Sequence, residues 1–479
     1  MSFITKNKKS GASVQKRWIY AELIFIFLAA AFYFLCGDKL QYKEISYTQS
    51  EISGSVPEFV EGSHIQQFVA SNFDELTSIS FLFADYGRKM NGTLDLVLKN
   101  ETNSVVYPTI SIDVSTIHEG EWYTVTPPFS MNGLRGKVLS IELWGHSVSG
   151  EAPTIFYAED ASGIFYSDGQ EISGQLCIDV KGKDFYIFGH YYGYFLLIGI
   201  IILTIVFIHM EYCREHNKKN FFLTLGFIWD RYHFLIEQLV LRDFRTKYKR
   251  SVLGYVWSFL NPLLTSLVQY MVFSALFDSD IENFPIYLLT GTLFFNFFSE
   301  AVSQGLSSIV SNAALINKVY VPKWIYPVTK VCASATNFII SLFPLLVVSL
   351  FTGCKLSPAL LLLVFDIVCL LFFCIGLSMV LTSCNVFFRD TQYLWGIATM
   401  VWMYSTPLFY PETILPPALR NFLQFNPLYH YIKFARVCII DGVSPELSTY
   451  AFCLGAACIS LLIGCVVFKK SQNKFALYI

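Results

Sequence analysis

Charged residues are scarce in this sequence. They make up 15% of its 479 residues, against about 25% in a typical soluble domain. The chain also lacks a GxxxxGK[ST] phosphate loop, a CxxC pair and a pair of carboxylates at catalytic spacing. These absences argue against a soluble protein, a P-loop ATPase, a dithiol or zinc protein and a two-carboxylate enzyme. Apolar residues make up 54% of the chain, which indicates a polytopic membrane protein.

The net charge of −2 conceals two oppositely charged parts. Residues 38–184 hold 21 acids and 9 basic residues, a balance of −12, and the rest holds 15 acids and 25 basic residues, a balance of +10. Because basic loops stay on the cytoplasmic side of a membrane, the acidic part is predicted to be extracytoplasmic. Of the 12 cysteines, only Cys177 lies inside that part, and the others lie in or beside apolar runs.

The order of apolar and polar stretches predicts the domains. Residues 1–17 are a basic cytoplasmic segment, and 18–37 are a transmembrane helix without a clean cleavage pattern, which favours an anchor over a signal peptide. A second transmembrane helix is expected at 185–210 and a cytoplasmic or interfacial region at 211–250. A six-span core at 251–470 and a cytoplasmic tail at 471–479 complete the chain.

The core spans bring the expected total to eight, with both termini in the cytoplasm. They are predicted near 252–277, 285–310, 325–352, 358–383, 391–409 and 447–468. Prolines interrupt the loop from Pro407 to Asp441, although several of its residues are apolar. This combination favours short re-entrant helices buried against protein, where irregular backbone is tolerated at membrane depth.

The acidic part is predicted to be an antiparallel β-sandwich. Residues 93–99 alternate apolar and polar side chains, similar runs occur at 109–114, 138–144 and 176–180, and turn residues separate them. Trp122, Tyr123 and Trp144 are candidates for contact with sugar rings, and core packing is the alternative. The acidity of this domain would repel anionic polymers, so a neutral or cationic ligand is expected, and a scaffold for an extracellular partner is equally compatible.

Residues 231–250 form a basic amphipathic helix that runs directly into the core. Apolar residues recur every four positions from Ile236 to Tyr248, and another face is basic. Such a helix suits the inner membrane interface among anionic head groups, although an ordinary solvated helix has the same pattern. The basic residues expected to contact lipid head groups are Arg242, Arg245, Lys249 and Arg250.

Four motifs resemble the permeases of type 2 ABC transporters that export O-antigen or teichoic-acid polysaccharides. They are LRDFRTKYKRSVLGYVWSFLNPL (241–263), NAALINKVYVPKWIYP (312–327), NVFFRDTQYLW (385–395) and NPLYHYIKFAR (426–436). They occur in the family's order over about half of the chain, and Tyr410-Pro411 adds to them. The β domain departs from the compact family pattern.

The resemblance implies roles for these segments. Residues 231–250 would be a gate helix at the cytoplasmic mouth, and the loop at 312–323 would couple to an ATPase through Asn317, Lys318, Tyr320, Pro322 and Lys323. The permease would be a homodimer bound to two copies of a separate ATPase, which would carry the ATP and Mg. This chain would hold no cofactor or metal of its own, and its other partners would be membrane lipids and the lipid-linked glycan, with no nucleic acid.

Polar and aromatic residues in the spans are candidates for the transport pathway. Intramembrane acids deserve a functional hypothesis, and Glu300 lies in a polar patch, whereas Asp366 is isolated and has no assigned role. Tyrosine and tryptophan combine a flat face with a polar group, which suits sliding sugar rings, while lipid or core packing is the alternative. The expected pathway residues are Tyr270, Glu300, Trp402, Tyr404 and Tyr410.

The sequence therefore predicts a transport subunit for a lipid-linked cell-surface polysaccharide, not an enzyme. An ABC permease for lipids or drugs is the first alternative, because sequence does not show the width of the pathway. A membrane glycosyl- or acyltransferase with a β sensor domain is less favoured, because no reactive acid or histidine cluster is found. A receptor that only signals is disfavoured by the lack of a cytoplasmic signalling domain.

Overall fold

A computed structural model describes most of the chain: residues 2–100, 105–118, 120–159, 163–216, 218, 220–248, 254, 256–277, 283–316, 318, 321–353 and 357–478. The chain divides into two compact units. Leu40–Tyr192 form one unit, which is built from β-strands. The residues before and after it form the other unit, which is helical.

Helices account for most of the larger unit, and one short helix lies in the β unit. They are α1 Ser2–Cys36, α2 Ile187–His190 (in the β unit), α3 Tyr192–Glu215, α4 Phe221–Tyr248, α5 Val256–Phe277, α6 Phe284–Ser311, α7 Ala313–Ile316, α8 Ile325–Phe351, α9 Leu363–Phe387, α10 Thr391–Ser405, α11 Pro417–Leu423, α12 Pro427–Arg436 and α13 Leu447–Ser471.

Six helices within the described ranges are long and apolar enough to cross a membrane. These segments are Ile19–Cys36, Tyr192–Glu215, Val256–Ser274, Ile325–Phe351, Pro358–Phe387 and Leu447–Ser471. The other two predicted spans are also helical, as α6 and α10, but they do not meet both criteria. Helix α10 ends at Ser405 and not at 409, and its 15 residues are about 22 Å long, which is shorter than a typical hydrocarbon core.

Two predicted boundaries differ from the structure. The helix expected at 185 begins at Tyr192, because the preceding strand ends at Phe185, which is paired with Tyr42. The basic helix expected at 231 begins at Phe221, since the apolar residues before Arg231 continue the same helix. In both cases the position where the local composition changes does not coincide with the first residue of the helix.

The helices that bracket the β unit in sequence pack with the core helices. Thr204 of α3 lies 3.4 Å from the carboxylate of Glu22 in α1, and Phe32 of α1 makes an edge contact with Tyr450 of α13, with 5.2 Å between ring centroids. The Cys36 thiol also lies 3.6 Å from the Tyr450 hydroxyl. These contacts place α1, α3 and α13 in one helical unit.

Helices α9 and α13 pack backbone against backbone through two glycines. A Cβ atom on Gly376 would lie 2.5 Å from the backbone nitrogen of Leu461, and one on Gly464 would lie 2.8 Å from Cα of Gly376. Small residues allow helices to approach closely where the surrounding lipid provides no hydrophobic driving force. This contact joins the last helix of the chain to the centre of the unit.

The β unit is an antiparallel sandwich, as predicted. Its strands are β1 Tyr42–Thr48, β2 Gly54–Ser55, β3 His64–Ala70, β4 Glu75–Ala84, β5 Thr93–Asn100, β6 Val105–Val106, β7 Ile110–Asp113, β8 Trp122–Val125, β9 Val138–His146, β10 Thr154–Ala158, β11 Ile164–Ser167, β12 Gln170–Ser173, β13 Gln175–Leu176 and β14 Ile178–Phe185. One sheet has the order β1-β14-β4-β10-β13, with β2 beside β10 and β8 beside β4. The other has the order β12-β11-β3-β9-β5-β6, with β7 beside β5.

The period-two pattern of the strands explains the core of the sandwich. In β5, Leu94, Leu96 and Leu98 are fully buried, and they alternate with partly exposed residues. Neighbouring β9 also buries Leu139, Ile141 and Leu143, and its register with β5 places Leu143 opposite Leu96 and Ile141 opposite Leu98. The alternate residues of both strands line the outer face of their sheet.

Candidate functional site

The basic helix α4 is held against α8 by a shared acid. Asp243 accepts hydrogen bonds from Nε and Nη2 of Arg242 at 3.1 and 2.9 Å, and its other oxygen lies 2.9 Å from Nζ of Lys330 in α8. Only 14% of the Asp243 side chain is exposed, which limits the screening of these charges by solvent. Asp243 therefore links the helix to the first third of α8.

A second ion pair connects the end of α4 to α6. Nζ of Lys247 lies 2.7 Å from a carboxylate oxygen of Glu300, and the two side chains are 43% and 34% exposed. Glu300 was predicted to line the pathway, and the structure gives it a partner that the sequence did not suggest. Because both groups are partly exposed, the pair can exchange partners at low cost.

This ion pair lies at one side of a polar cavity of about 310 Å³ between α4, α5, α6 and α8. Three amides and three hydroxyls line it, together with Trp257 and the stacked rings of Phe297 and Phe338, whose centroids are 4.7 Å apart. Its polar side chains other than the ion pair are Ser258, Asn261, Asn296, Ser334, Asn337 and Ser341.

A proline shapes the wall of the cavity. Pro262 lies inside α5 and has no N–H, so it leaves the carbonyl of Ser258, four residues earlier, without its helical donor. The hydroxyl of Ser341 in α8 donates to that carbonyl at 3.0 Å. A polar side chain from a neighbouring helix thus satisfies the backbone, which is the usual requirement for a proline within a membrane helix.

The predicted coupling segment follows α6. Short helix α7 begins it, Lys318 is exposed, and the chain passes Pro322 and Lys323 before α8 begins. Nζ of Lys323 donates to the carbonyl of Gln472 at 2.8 Å, so this segment is tied to the end of α13. Two predicted residues, Asn317 and Tyr320, lie outside the described residues.

An aromatic contact joins this segment to the basic helix. The ring of Trp324, at the start of α8, meets Tyr232 of α4 edge to face, with 6.4 Å between centroids. Together with Asp243 and Lys330, this contact fixes α4 along the first turns of α8. Arg242 and Arg245 are exposed on α4, whereas Lys249 and Arg250 lie outside the described residues.

The loop after α10 is anchored by Arg436 of α12. Its guanidinium donates to the carbonyls of Pro407, Leu408 and Tyr287 at 2.8, 3.1 and 3.2 Å, and its centre lies 3.3 Å from the centroid of the Tyr287 ring. Gly291 of α6 provides the space, because a Cβ there would lie 2.7 Å from Nη2 of Arg436. The loop forms the short helices α11 and α12; α12 is largely buried as predicted, whereas most of α11 is exposed.

The predicted pathway residues do not form one site. Tyr404 and Tyr410 line an apolar groove of about 480 Å³ beside α10 and α11, and Glu300 lines the polar cavity instead. Tyr270 packs near Phe284, and the indole of Trp402 donates to Asn426 at 2.8 Å. Their role in a pathway stays a prediction, and the structure places them in separate surroundings.

Asp366 and His430 belong to neither cavity. Asp366 is fully buried in α9, and neither carboxylate oxygen has a hydrogen-bond partner within the described part of the chain. His430 stacks on Phe452 with 3.9 Å between centroids, and its Nε2 lies 2.8 Å from the carbonyl of Gln424. The histidine thus packs the loop between α10 and α13.

In the β unit, the three predicted aromatic contacts do not form a shared platform. Trp122 and Tyr123 lie on β8 of one sheet, where Tyr123 contacts the core residue Phe83, and Trp144 lies on β9 of the other sheet. Adjacent residues of a strand point to opposite faces, so Trp122 and Tyr123 cannot act together. Their grouping is corrected accordingly.

Trp144 has a different set of neighbours on the outer face of its sheet. It stacks on His64 of β3 with 4.0 Å between centroids, and it is 37% exposed. Beside it, the buried Glu142 accepts from Lys99 at 2.6 Å and from Gln66 at 3.3 Å. This face combines an accessible aromatic ring with ordered hydrogen-bonding groups.

Sequence reasoning missed the partners that position the basic helix. These are Asp243, Lys247 and Lys330. A signal for Asp243 was present, since it is an isolated acid between the basic residues Arg242 and Arg245. No signal linked Lys330 or Lys247 to their partners, because both ion pairs join helices that are distant in sequence.

Comparisons with known proteins show what this helical unit is similar to. Residues 235–440 match the family described as ABC-2 type transporter. An O-antigen export system permease protein RfbA from Klebsiella pneumoniae is 27% identical over 260 residues, which cover 53% of this chain and 96% of the relative. RfbA from Myxococcus xanthus is 29% identical over 250 residues, covering 51% and 95%. The polysialic acid transport protein KpsM of Escherichia coli is 23% identical over 245 residues, covering 50% and 93%.

The family match covers the second half of α4, the polar cavity and the anchored loop, and it leaves out the β unit. The relatives are transport permeases by name, which confirms the prediction of a transport subunit and argues against the transferase alternative. With its apolar helices, the chain is a multi-pass membrane protein. Its helical unit is similar to the permease subunits of type 2 ABC transporters.

Proposed function

We propose that this chain is the permease subunit of an ATP-driven exporter that moves a lipid-linked cell-surface polysaccharide across the cytoplasmic membrane. The observation that carries the proposal is the similarity of about half of the chain to permeases named for O-antigen and polysialic acid transport. An O-antigen or teichoic-acid-like glycan is the expected cargo.

Export by the reconstituted complex tests this function. The chain and its ATPase are placed in vesicles with lipid-linked glycan from the native membrane, and ATP-dependent transfer of the glycan is measured. ATP-dependent appearance of glycan on the far side is the expected result. Transfer of lipids or drugs without any movement of glycan would refute the proposal in favour of the first alternative.

The proposed topology has eight spans, both termini in the cytoplasm and the β unit outside. Six apolar helices support it, and α6 and the shorter α10 would provide the remaining two crossings. Ser149 in the β unit and Lys318 after α7 are both exposed, so they make a matched pair of probes. In intact cells, an impermeant thiol reagent should label Ser149→Cys and should label Lys318→Cys only after permeabilisation. The reverse pattern would invert the topology.

We further propose a homodimer with two ATPase copies. Permeases of this family normally work with an ATPase partner, and the exposed Lys318 with Pro322 and Lys323 offers a short docking segment before α8. Asn317 and Tyr320 complete the proposed contact. Movement of this segment would be transmitted to α4 through Trp324 and Lys330, which contact Tyr232 and Asp243. ATP and Mg would be bound by the partner, and Lys318→Glu should weaken co-purification of the two proteins.

The basic helix is proposed to attract the anionic head group of the substrate. Arg242 and Arg245 are exposed, and Lys249 and Arg250 extend the basic run. Charge-assisted hydrogen bonds to phosphate oxygens are the strong interactions that such side chains make. Arg245→Gln with Lys249→Gln should reduce export, whereas Lys474→Gln, an exposed lysine near the end of the chain, should not. Unchanged export by the double variant would remove this role.

The aromatic groove and the β unit are proposed to contact the glycan. Tyr404 and Tyr410 are available in the groove, and Tyr270, Trp402 and Glu300 remain weaker candidates for the pathway. On the β unit, Trp144 and Trp122 are both 37% exposed but lie on different sheets. Trp144→Ala in the full complex should weaken glycan binding, and Trp122→Ala serves as the matched control. Equal losses would argue against a specific face.

A further inference from the structure

The polar cavity between α4, α5, α6 and α8 has a composition that membrane packing alone does not require. Its walls carry the amides of Asn261, Asn296 and Asn337, and the first two side chains are exposed. Asn296 lies in the middle of α6, where an amide facing hydrocarbon would be costly. The cavity therefore offers its hydrogen-bonding groups to a polar occupant.

The charges of the cavity indicate what kind of occupant it suits. Lys247 and Glu300 form a pair with no net charge, so an anion attracted by the lysine would be repelled by the carboxylate at 2.7 Å from it. A hydroxyl can donate to a carboxylate and accept from an ammonium group, and an amide side chain offers both functions. The lining thus matches an uncharged ligand with several hydroxyls.

Size and ring chemistry agree with this assignment. A cavity of about 310 Å³ is at the lower end of the range for small-ligand sites, about 300–1,000 Å³. The indole of Trp257 is 44% exposed at its rim, and Phe297 and Phe338 are buried beneath. Aromatic surfaces beside hydrogen-bonding groups suit a ring with an apolar face and polar edges.

We propose that this cavity binds an uncharged sugar unit of the lipid-linked substrate. The inference rests on the proposed polysaccharide export and adds the class of group that is recognised inside one protomer. The amides of Asn296 and Asn337 hold the sugar hydroxyls, and the Lys247–Glu300 pair opens to share its charges with the ligand. The basic face of α4 and this cavity would then recognise the anionic and neutral parts of one substrate.

The test measures binding to the complete permease–ATPase complex in lipid nanodiscs. The probes are radiolabelled hexyl glucoside, free glucose and hexyl phosphate. Hexyl glucoside should bind, and hexyl phosphate should not compete with it. Asn296→Leu and Asn337→Leu should each weaken binding at least tenfold. Thr399→Val is the matched control, because the Thr399 hydroxyl donates within α10, to the carbonyl of Trp395 at 2.8 Å. This variant should bind hexyl glucoside as tightly as the wild type.

Several results would overturn the assignment. Competition by hexyl phosphate as strong as that by unlabelled glucoside would make the cavity an anion site. Unchanged affinity in both asparagine variants, with thermal stability equal to the wild type, would place the sugar elsewhere. Absence of glucoside binding together with spontaneous disulfide formation between two copies of Asn296→Cys would show that a second copy seals the cavity. Binding of free glucose as tight as that of the glucoside would indicate a free-sugar site, not a lipid-linked one.

Failure of this inference is separable from failure of the export function. If the wild type exports polysaccharide in cells and both asparagine variants bind glucoside normally, the cavity assignment is lost and the exporter remains. If the wild-type complex moves no glycan but the asparagine variants lose glucoside binding, the sugar site remains and the exporter is lost. A milder variant, Glu300→Gln, covers the case in which the leucine variants do not fold, and it should weaken glucoside binding without loss of stability.

Discussion

The close contact of α9 and α13 yields a quantitative prediction for Gly376→Ala. The added Cβ would lie 2.5 Å from the backbone nitrogen of Leu461, whereas ordinary contacts begin at 3.4 Å. The backbone carbonyl of Ser460 would lie closer still, so the shortfall exceeds 0.9 Å, and because the obstructing atoms are backbone, no side chain can rotate away. The two helices must separate, which forfeits part of their packing along the whole contact.

The expected cost follows from two opposing effects. Alanine favours an α-helix over glycine by about 1 kcal/mol, and overpacking a tight site costs about 1–3 kcal/mol. Gly455→Ala in α13 isolates the first effect, because a Cβ there meets nothing within 4 Å. Relative to this control, Gly376→Ala should therefore be less stable by about 1–3 kcal/mol.

Thermal unfolding of the purified protein in nanodiscs, followed by size-exclusion chromatography after heating, measures the difference. The Tm of Gly376→Ala should fall several degrees below that of Gly455→Ala. Gly464→Ala should behave like Gly376→Ala, and the double variant should cost less than the two single losses together, since both occupy one contact. Equal Tm values for Gly376→Ala and Gly455→Ala would refute the backbone contact.

Three further predictions test the ion pair, the loop anchor and the β unit. Asp243→Asn should lower stability by about 2 kcal/mol in thermal unfolding and reduce export, because Lys330 loses its counterion. Adding Lys330→Gln to this variant should restore part of the lost stability. Additive losses in the double variant would contradict the pairing. Gly291→Ala should lower the Tm by displacing Arg436. Gly396→Ala should not lower it, because a Cβ there meets nothing within 4 Å. Similar Tm values for the two variants would contradict the anchoring role of Arg436. Burial raises the pKa of Cys177 to about 11, and the thiolate is the reactive form, so an impermeant maleimide should leave Cys177 unmodified at neutral pH until the β unit is unfolded. Rapid labelling of Cys177 in the folded protein, located by mass spectrometry, would contradict the burial of this thiol.

The alternation of side chains largely predicted the β unit. Residues 93–99 follow a strict period of two, and they form β5 with its leucines in the core. The end of the unit was predicted less well, because β14 continues to Phe185 and the helix begins only at Tyr192. Aromatic residues near that boundary suit either a strand or a membrane helix, and pairing with β1 decides between them.

The candidate site was predicted only in outline. A basic helix before the core followed from the spacing of its residues, and α4 contains it. The partners of that helix could not be predicted, since Lys330 and Glu300 are 87 and 53 positions from Asp243 and Lys247. Ion pairs between distant residues depend on how helices pack, and local periodicity carries no information about them.

The sequence by itself determined that this is a membrane protein with an acidic β insertion. Apolar runs predict the membrane helices, and the alternation of side chains predicts the strands, because both patterns can be recognised in neighbouring residues. Its motifs also sufficed to predict the transporter family. Tertiary structure alone decided which polar residues share a cavity and which aromatics stand apart. Glu300 joined Lys247 and three asparagines, while Tyr404 and Tyr410 lined a separate groove. Which side chains meet is set by the approach of helices, down to glycine contacts such as that of Gly376 with Gly464.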